Sequence, residues 1–235
     1  MEQSYLSYYA CGAISGTIGT IFSHPFYTIK TKLQNGEKVS FKSVCKSNPK
    51  ILYSGFCRAC VGYSIEKTLI FGSYNSTIEH FGLNRTNYYH SIFAGFMSGM
   101  IGSFSIAPAE QLTIDKQQNR KCYSIKHLYQ GLYLTMARES IGFSIYFTIY
   151  DQLSSKYNND RNISKTILIA IPSIVSAWIV ICPIDKIKTN IQSGTKVDMH
   201  NIFAGYKGFK YALMRAIPFH CTCFATFEYT KKYFL

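Results

Sequence analysis

Charged side chains sit deep inside stretches that are otherwise apolar and helical in period: Glu66 and Lys67 within 59–78, Arg138 and Glu139 within 133–153, and Arg215 within 211–230. A charge at membrane depth is costly unless it faces a polar cavity, which makes these residues candidates for binding a solute. The planar fork of arginine suits a carboxylate or phosphate group through two parallel hydrogen bonds. Trp178, Tyr63 and Tyr146 add rings on which a solute could stack. Catalytic chemistry is not indicated, because no nucleophile–base set, phosphate loop or metal-ligand cluster stands out. Cys57-x-x-Cys60 has no second pair or nearby histidines, and Cys11, Cys182, Cys221 and Cys223 lie inside apolar spans, which argues against a disulfide framework. The expectation is a non-enzyme without cofactor or metal.

A second set of polar residues recurs with fixed spacing. Pro25-Phe-Tyr-Thr-Ile-Lys30, Pro108-Ala-Glu110-Gln-Leu-Thr113 and Pro183-Ile-Asp185-Lys-Ile-Lys188 each carry a glutamine nine residues after the proline: Gln34, Gln117 and Gln192. An aromatic-x-Gly-apolar motif follows in each copy, at Tyr53-Ser-Gly55-Phe56, Tyr129-Gln-Gly131-Leu132 and Tyr206-Lys-Gly208-Phe209. Nineteen residues beyond each glycine an aromatic pair ends: Phe71/Tyr74, Phe147/Tyr150 and Phe224/Phe227. Three registered copies define an internal repeat and place the boundaries at 1–81, 82–157 and 158–235. Gly12-x-x-x-Gly16 and Gly95-x-x-x-Gly99 predict close helix approach, while Ala170 and Ile174 hold those positions in the third copy.

The elements that must carry these residues are helices. Gln3–Ile29, Thr86–Ala109 and Thr166–Ile184 contain no Asp, Glu, Lys or Arg, and each is long enough to cross a hydrocarbon core of about 30 Å. With the charged helical stretch that ends each copy, six spans are expected. Mean hydropathy is near zero, so it is the distribution that carries this signal. The net charge of +13 is gathered in loops, and those inside each repeat are lysine-rich: Lys38, Lys42, Lys46, Lys50, Lys121, Lys126, Lys196, Lys207 and Lys210. That asymmetry sets an orientation, with both termini on the opposite side, and it suits an anionic lipid surface. The dispersal of the basic residues over loops disfavours a nucleic-acid partner. Met1–Ser7 lacks a basic segment before the first span, so no cleavable signal is expected.

In these motifs the chain resembles the mitochondrial carrier family (solute carrier family 25 type), from Gly12 to about Lys232. The resemblance implies an all-α membrane protein of six transmembrane helices in three pseudo-symmetric two-helix repeats with short matrix helices. It implies a monomer in the mitochondrial inner membrane, termini toward the intermembrane space, cardiolipin beside the matrix helices, and alternating access to one central site. Carried over by position, the matrix gate would pair Glu110 with Lys188 and Asp185 with Lys30, braced by Gln34, Gln117 and Gln192. The third pair, Tyr27 with Thr113, has lost both charges together. On the cytosolic side only Asp151–Lys231 would remain as an ion pair, above Tyr74 and Tyr150. Asn75 and Ser154 replace charges, and Glu228 faces Ile78. That erosion predicts a weak cytosolic gate and a resting preference for opening there.

The resemblance also places substrate contacts at Gly62, Arg138 and Arg215, with Glu139, Glu66 and Lys67 beside them. The first expectation for the solute is an anion, namely counter-exchange of nucleotides or deoxynucleotides. An S-adenosylmethionine or amino-acid carrier is the alternative, because the Arg138–Glu139 pair resembles such carriers. A non-transporting membrane adaptor is the third reading. The abundance of Ile, Lys, Asn, Tyr and Phe, together with shortened loops, suggests an A/T-rich genome such as that of a protist or a giant DNA virus.

Overall fold

A computed structural model describes residues 2–34, 49–53, 56–117, 124–157, 163–193, 206 and 209–234. Six long helices dominate: α1 (Glu2–Gln34), α2 (Phe56–His80), α3 (Tyr88–Gln117), α5 (Leu132–Lys156), α6 (Ile163–Ser193) and α7 (Phe209–Phe234). A 3-10 turn (Pro49–Tyr53) precedes α2, the short α4 (Ile125–Leu128) precedes α5, and no strand occurs among the described residues. Each long helix packs on its neighbours in sequence, and α7 returns to α1, so the six close into a ring. Helices α3 and α6 contain stretches long and apolar enough to cross a membrane, Tyr88–Leu112 and Ile163–Ile191. The charged residues of α2, α5 and α7 dilute the same signal in their helices.

Pro25, Pro108 and Pro183 lie inside α1, α3 and α6. A proline cannot bond the carbonyl four residues earlier, which leaves that oxygen without its helical partner. Two of the repeat's tyrosines take up this role. Tyr53 Oη donates to the Ile21 carbonyl (3.2 Å) and Tyr206 Oη to the Ile179 carbonyl (2.8 Å), each four residues before its proline. The proline motif and the aromatic-x-Gly motif are thus two halves of one contact. His24 reinforces the first copy: its ring stacks on Tyr53, and its Nδ1 lies 2.9 Å from the Leu52 carbonyl. Gly131, between α4 and α5, has φ +76°, a left-handed conformation that favours glycine.

Close approach between neighbours follows the small residues. A Cβ on Gly12 would lie 2.7 Å from the Lys67 carbonyl oxygen of α2, and one on Gly95 2.7 Å from the Phe143 carbonyl oxygen of α5. Where α2, α5 and α7 end, the six repeat aromatics pair across all three helix boundaries. Phe71 stacks on Phe227 at 4.3 Å between centroids, Tyr74 on Phe147 at 3.8 Å, and Tyr150 meets Phe224 at 4.2 Å. All six rings are buried. This packed layer closes the end of the ring that carries the chain termini.

Candidate functional site

Inside the ring, between the aromatic layer and the proline-motif residues of α3 and α6, lies a cavity lined in part by Glu66, Lys67, Glu110, Arg138, Glu139 and Arg215. Space for solvent within it is about 70 Å³, enough for a few water molecules. Tyr63, Tyr146 and Trp178 contribute rings to the same wall. Gly62 does not line it; the glycine lies against Ala109 of α3, and its lack of a side chain leaves the cavity wall to Glu66 and Lys67 one turn on.

Arg138 is the hub of the charged residues. Its guanidinium donates to Asp185 Oδ1 at 2.6 Å, to Glu110 Oε1 at 3.0 Å, and to the adjacent Glu139 carboxylate. Lys188, almost wholly buried, donates to the second oxygen of Glu110. The expected Glu110–Lys188 contact between α3 and α6 is therefore present, and Arg138 of α5 ties the same two helices a second time. A sequence reading that makes Arg138 a free substrate contact misses this role, because only the fold brings the proline-motif acids within its reach. The side chains of Lys30, Gln34, Thr113, Gln117 and Gln192 lie outside the described residues, and with them the Asp185–Lys30 pair and the glutamine braces.

The other charges are partnered unequally. Lys67 Nζ is 3.0 Å from Glu66 Oε1 and 4.8 and 5.2 Å from the ring centroids of Phe143 and Phe219. Arg215 donates to a neutral phenol, Tyr63 Oη, at 3.0 Å and stands over the rings of Tyr63 and Tyr27. Its buried Nε has no hydrogen-bond partner among the described residues. An aromatic ring thus meets this guanidinium at the position where the other two proline motifs carry an acid. Glu139 is bonded through Arg138, whose charge Glu110 and Asp185 share. Among the described residues Arg215 has no carboxylate partner, Glu139 is one of three carboxylates that share the Arg138 guanidinium, and both face the cavity.

At the termini end the expected Asp151–Lys231 pair is replaced. Asp151 accepts hydrogen bonds from Tyr74 and from Ser91 (2.8 Å), and Arg85 lies 3.9 Å away. Lys231 stands 5.3 Å from the Tyr8 ring, and Tyr8 donates to Glu79. The physical reason is reach: Tyr74 and Ser91 flank Asp151 on the adjoining α2 and α3, and the loop between those helices brings a guanidinium to the same carboxylate. Together with the aromatic layer, these contacts close the end that motif erosion predicts to be weak.

The chain's similarities agree with this geometry. A family profile described as "Mitochondrial carrier protein" matches residues 1–85. The mitochondrial basic amino acids transporter of Rattus norvegicus is 24% identical over 96% of this chain and 89% of its own length. The mitochondrial carnitine carrier of Saccharomyces cerevisiae is 26% identical over 96% and 87%, and the mitochondrial glycine transporter YMC1 of the same yeast is 25% identical over 94% and 89%.

Proposed function

We propose that the chain is a member of the mitochondrial carrier family, to which it is similar and whose members are transporters rather than enzymes, and that it carries a zwitterionic or cationic solute of the amino-acid or carnitine type by alternating access. One observation carries the choice: Arg215, with no carboxylate partner among the described residues, and Glu139, one of three carboxylates sharing Arg138, face one cavity. A solute bearing a carboxylate and an ammonium satisfies both. Its carboxylate takes the Arg215 fork in place of the Tyr63 phenol. Its cation meets Glu139 and so relieves the sharing at Arg138. Nucleotide exchange fits less well, because Lys67 and Arg138 already serve carboxylates and one guanidinium remains for a chain of phosphates. The names of the three relatives point toward amino acids and carnitine as well.

In this reading the three repeats, 1–81, 82–157 and 158–235, each give two spans. The protein sits as a monomer in the mitochondrial inner membrane, with its termini toward the intermembrane space and cardiolipin beside its matrix helices. Glu110, Lys188, Asp185 and Arg138 hold the matrix side, joined by Lys30 and the three glutamines. Binding of the solute loosens this set while the aromatic layer reforms or parts at the other end. The test is uptake by liposomes containing the purified protein and preloaded with lysine, arginine, carnitine, S-adenosylmethionine or ATP. Exchange of an amino acid, carnitine or S-adenosylmethionine supports the proposal. Exchange of ATP alone restores the nucleotide reading, and no exchange across the panel favours a membrane adaptor.

A further inference from the structure

The loop between α2 and α3 is fastened at every turn, and it delivers one guanidinium to the end of the ring. Helix α2 stops where Gly82 turns left-handed at φ +58°. The Leu83 amide bonds the Ile78 carbonyl at 2.8 Å and the Gly82 amide bonds that of Glu79 at 3.2 Å, the paired pattern of a glycine-terminated helix. Leu83 packs against the buried cluster to which Ile78 belongs. Ile78 stands four residues after Tyr74, the offset at which the third repeat places Lys231. An apolar residue at this site therefore gives up a charge on α2 and secures the loop instead.

What the loop then presents is Arg85. Its guanidinium donates to Asn75 Oδ1 of α2 at 2.6 Å, lies 3.9 Å from Asp151 Oδ1 of α5, and stands over the Tyr74 ring at 5.5 Å. The backbone beside it is held by α5, where Gln152 Nε2 donates to the Thr86 carbonyl at 2.9 Å, while Ser91 of α3 gives its one hydroxyl proton to Asp151. Asp151 is 6% exposed, so its charge needs a cation close by, and Arg85 is the base it meets among the described residues. We propose that Arg85 is the positioning residue that latches α2 to α5 at the termini end, supplying from the loop the cation that α2 lacks at Ile78. The latch rests on the carrier reading. It adds that opening at this end requires the α2–α3 loop to release Asp151.

The experiment uses Ala177→Cys, in the cavity wall, in proteoliposomes without any solute, and follows modification at that position by a membrane-impermeant maleimide with mass spectrometry. Arg85→Gln should raise the labelling rate from the termini side roughly tenfold, as loss of a charge-assisted contact implies, and leave the rate from the other side unchanged. Asn75→Asp, which offers Arg85 a second charge, should slow labelling from the termini side. An unchanged rate in Arg85→Gln, or equal acceleration from both sides, overturns the latch. If Arg85→Gln fails to assemble, Asn75→Asp decides: slower labelling supports the latch, and an unchanged or faster rate overturns it. No solute enters the measurement, so an error in the substrate class leaves this result intact.

Discussion

Arg215 faces the cavity without a carboxylate partner among the described residues and Glu139 shares its arginine with two other acids, and that sets what their loss should do. Arg215→Gln removes the fork offered to a carboxylate, and uptake at low solute concentration should fall about tenfold to a hundredfold, the range for a charged hydrogen bond. Arg215→Lys keeps the charge but loses the planar pair of donors and should recover only part of the rate. Glu139→Gln should weaken uptake of lysine or carnitine by a similar factor. These outcomes are read from initial rates in reconstituted liposomes. At this scale the sequence was half informative. It picked out Arg138 and Arg215 as arginines inside spans, yet it treated them as equals. What separates them is long-range: Glu110 and Asp185 reach Arg138 from two other helices, while among the described residues Arg215 meets tyrosine rings and a hydroxyl in place of a carboxylate.

Among the helices, the contact between proline and tyrosine makes its own prediction. Tyr53→Phe and Tyr206→Phe keep the ring and delete the hydroxyl that serves Ile21 and Ile179. Both tyrosines are partly solvent-accessible, so each change should cost about 1 kcal/mol or less in thermal unfolding. Gly95→Ala should cost more, about 1–3 kcal/mol, because its new methyl meets backbone of α5 rather than a side chain that can swing away. The prolines, the glycine pairs and the helical periods were all legible in the chain, since each is a local rule of backbone chemistry. The reason the tyrosine and proline travel together was not, because the bond that joins Tyr206 to Ile179 links residues 27 positions apart in the sequence.

Across the whole molecule, the aromatic layer and the Arg138 hub leave a cavity with room for little more than water. A solute that fits must bind a more open form, so it should shift the thermal unfolding midpoint upward as its concentration rises through the binding constant. Solutes that the carrier does not accept should leave the midpoint in place. The ring of helices was foreseeable from three repeated hairpins, whereas the strength of its termini end was not. Counting motif charges overlooks both the ring pairs and the loop guanidinium, neither of which sits at a charged motif position. The partnering at Arg138 has a further consequence, in electrical terms. Charges of opposite sign that lie together at one depth, as Glu110, Asp185 and Glu139 do with Arg138 and Lys188, move little net charge across the membrane field even as their contacts loosen, so the solute's own charge decides the voltage dependence. In liposomes preloaded with a zwitterion, entering lysine carries one net charge and should be driven by about 2.3 kcal/mol per 100 mV, whereas entering carnitine should exchange with no electrical bias. A potassium diffusion potential imposed on the same liposomes should accelerate the first and leave the second unchanged.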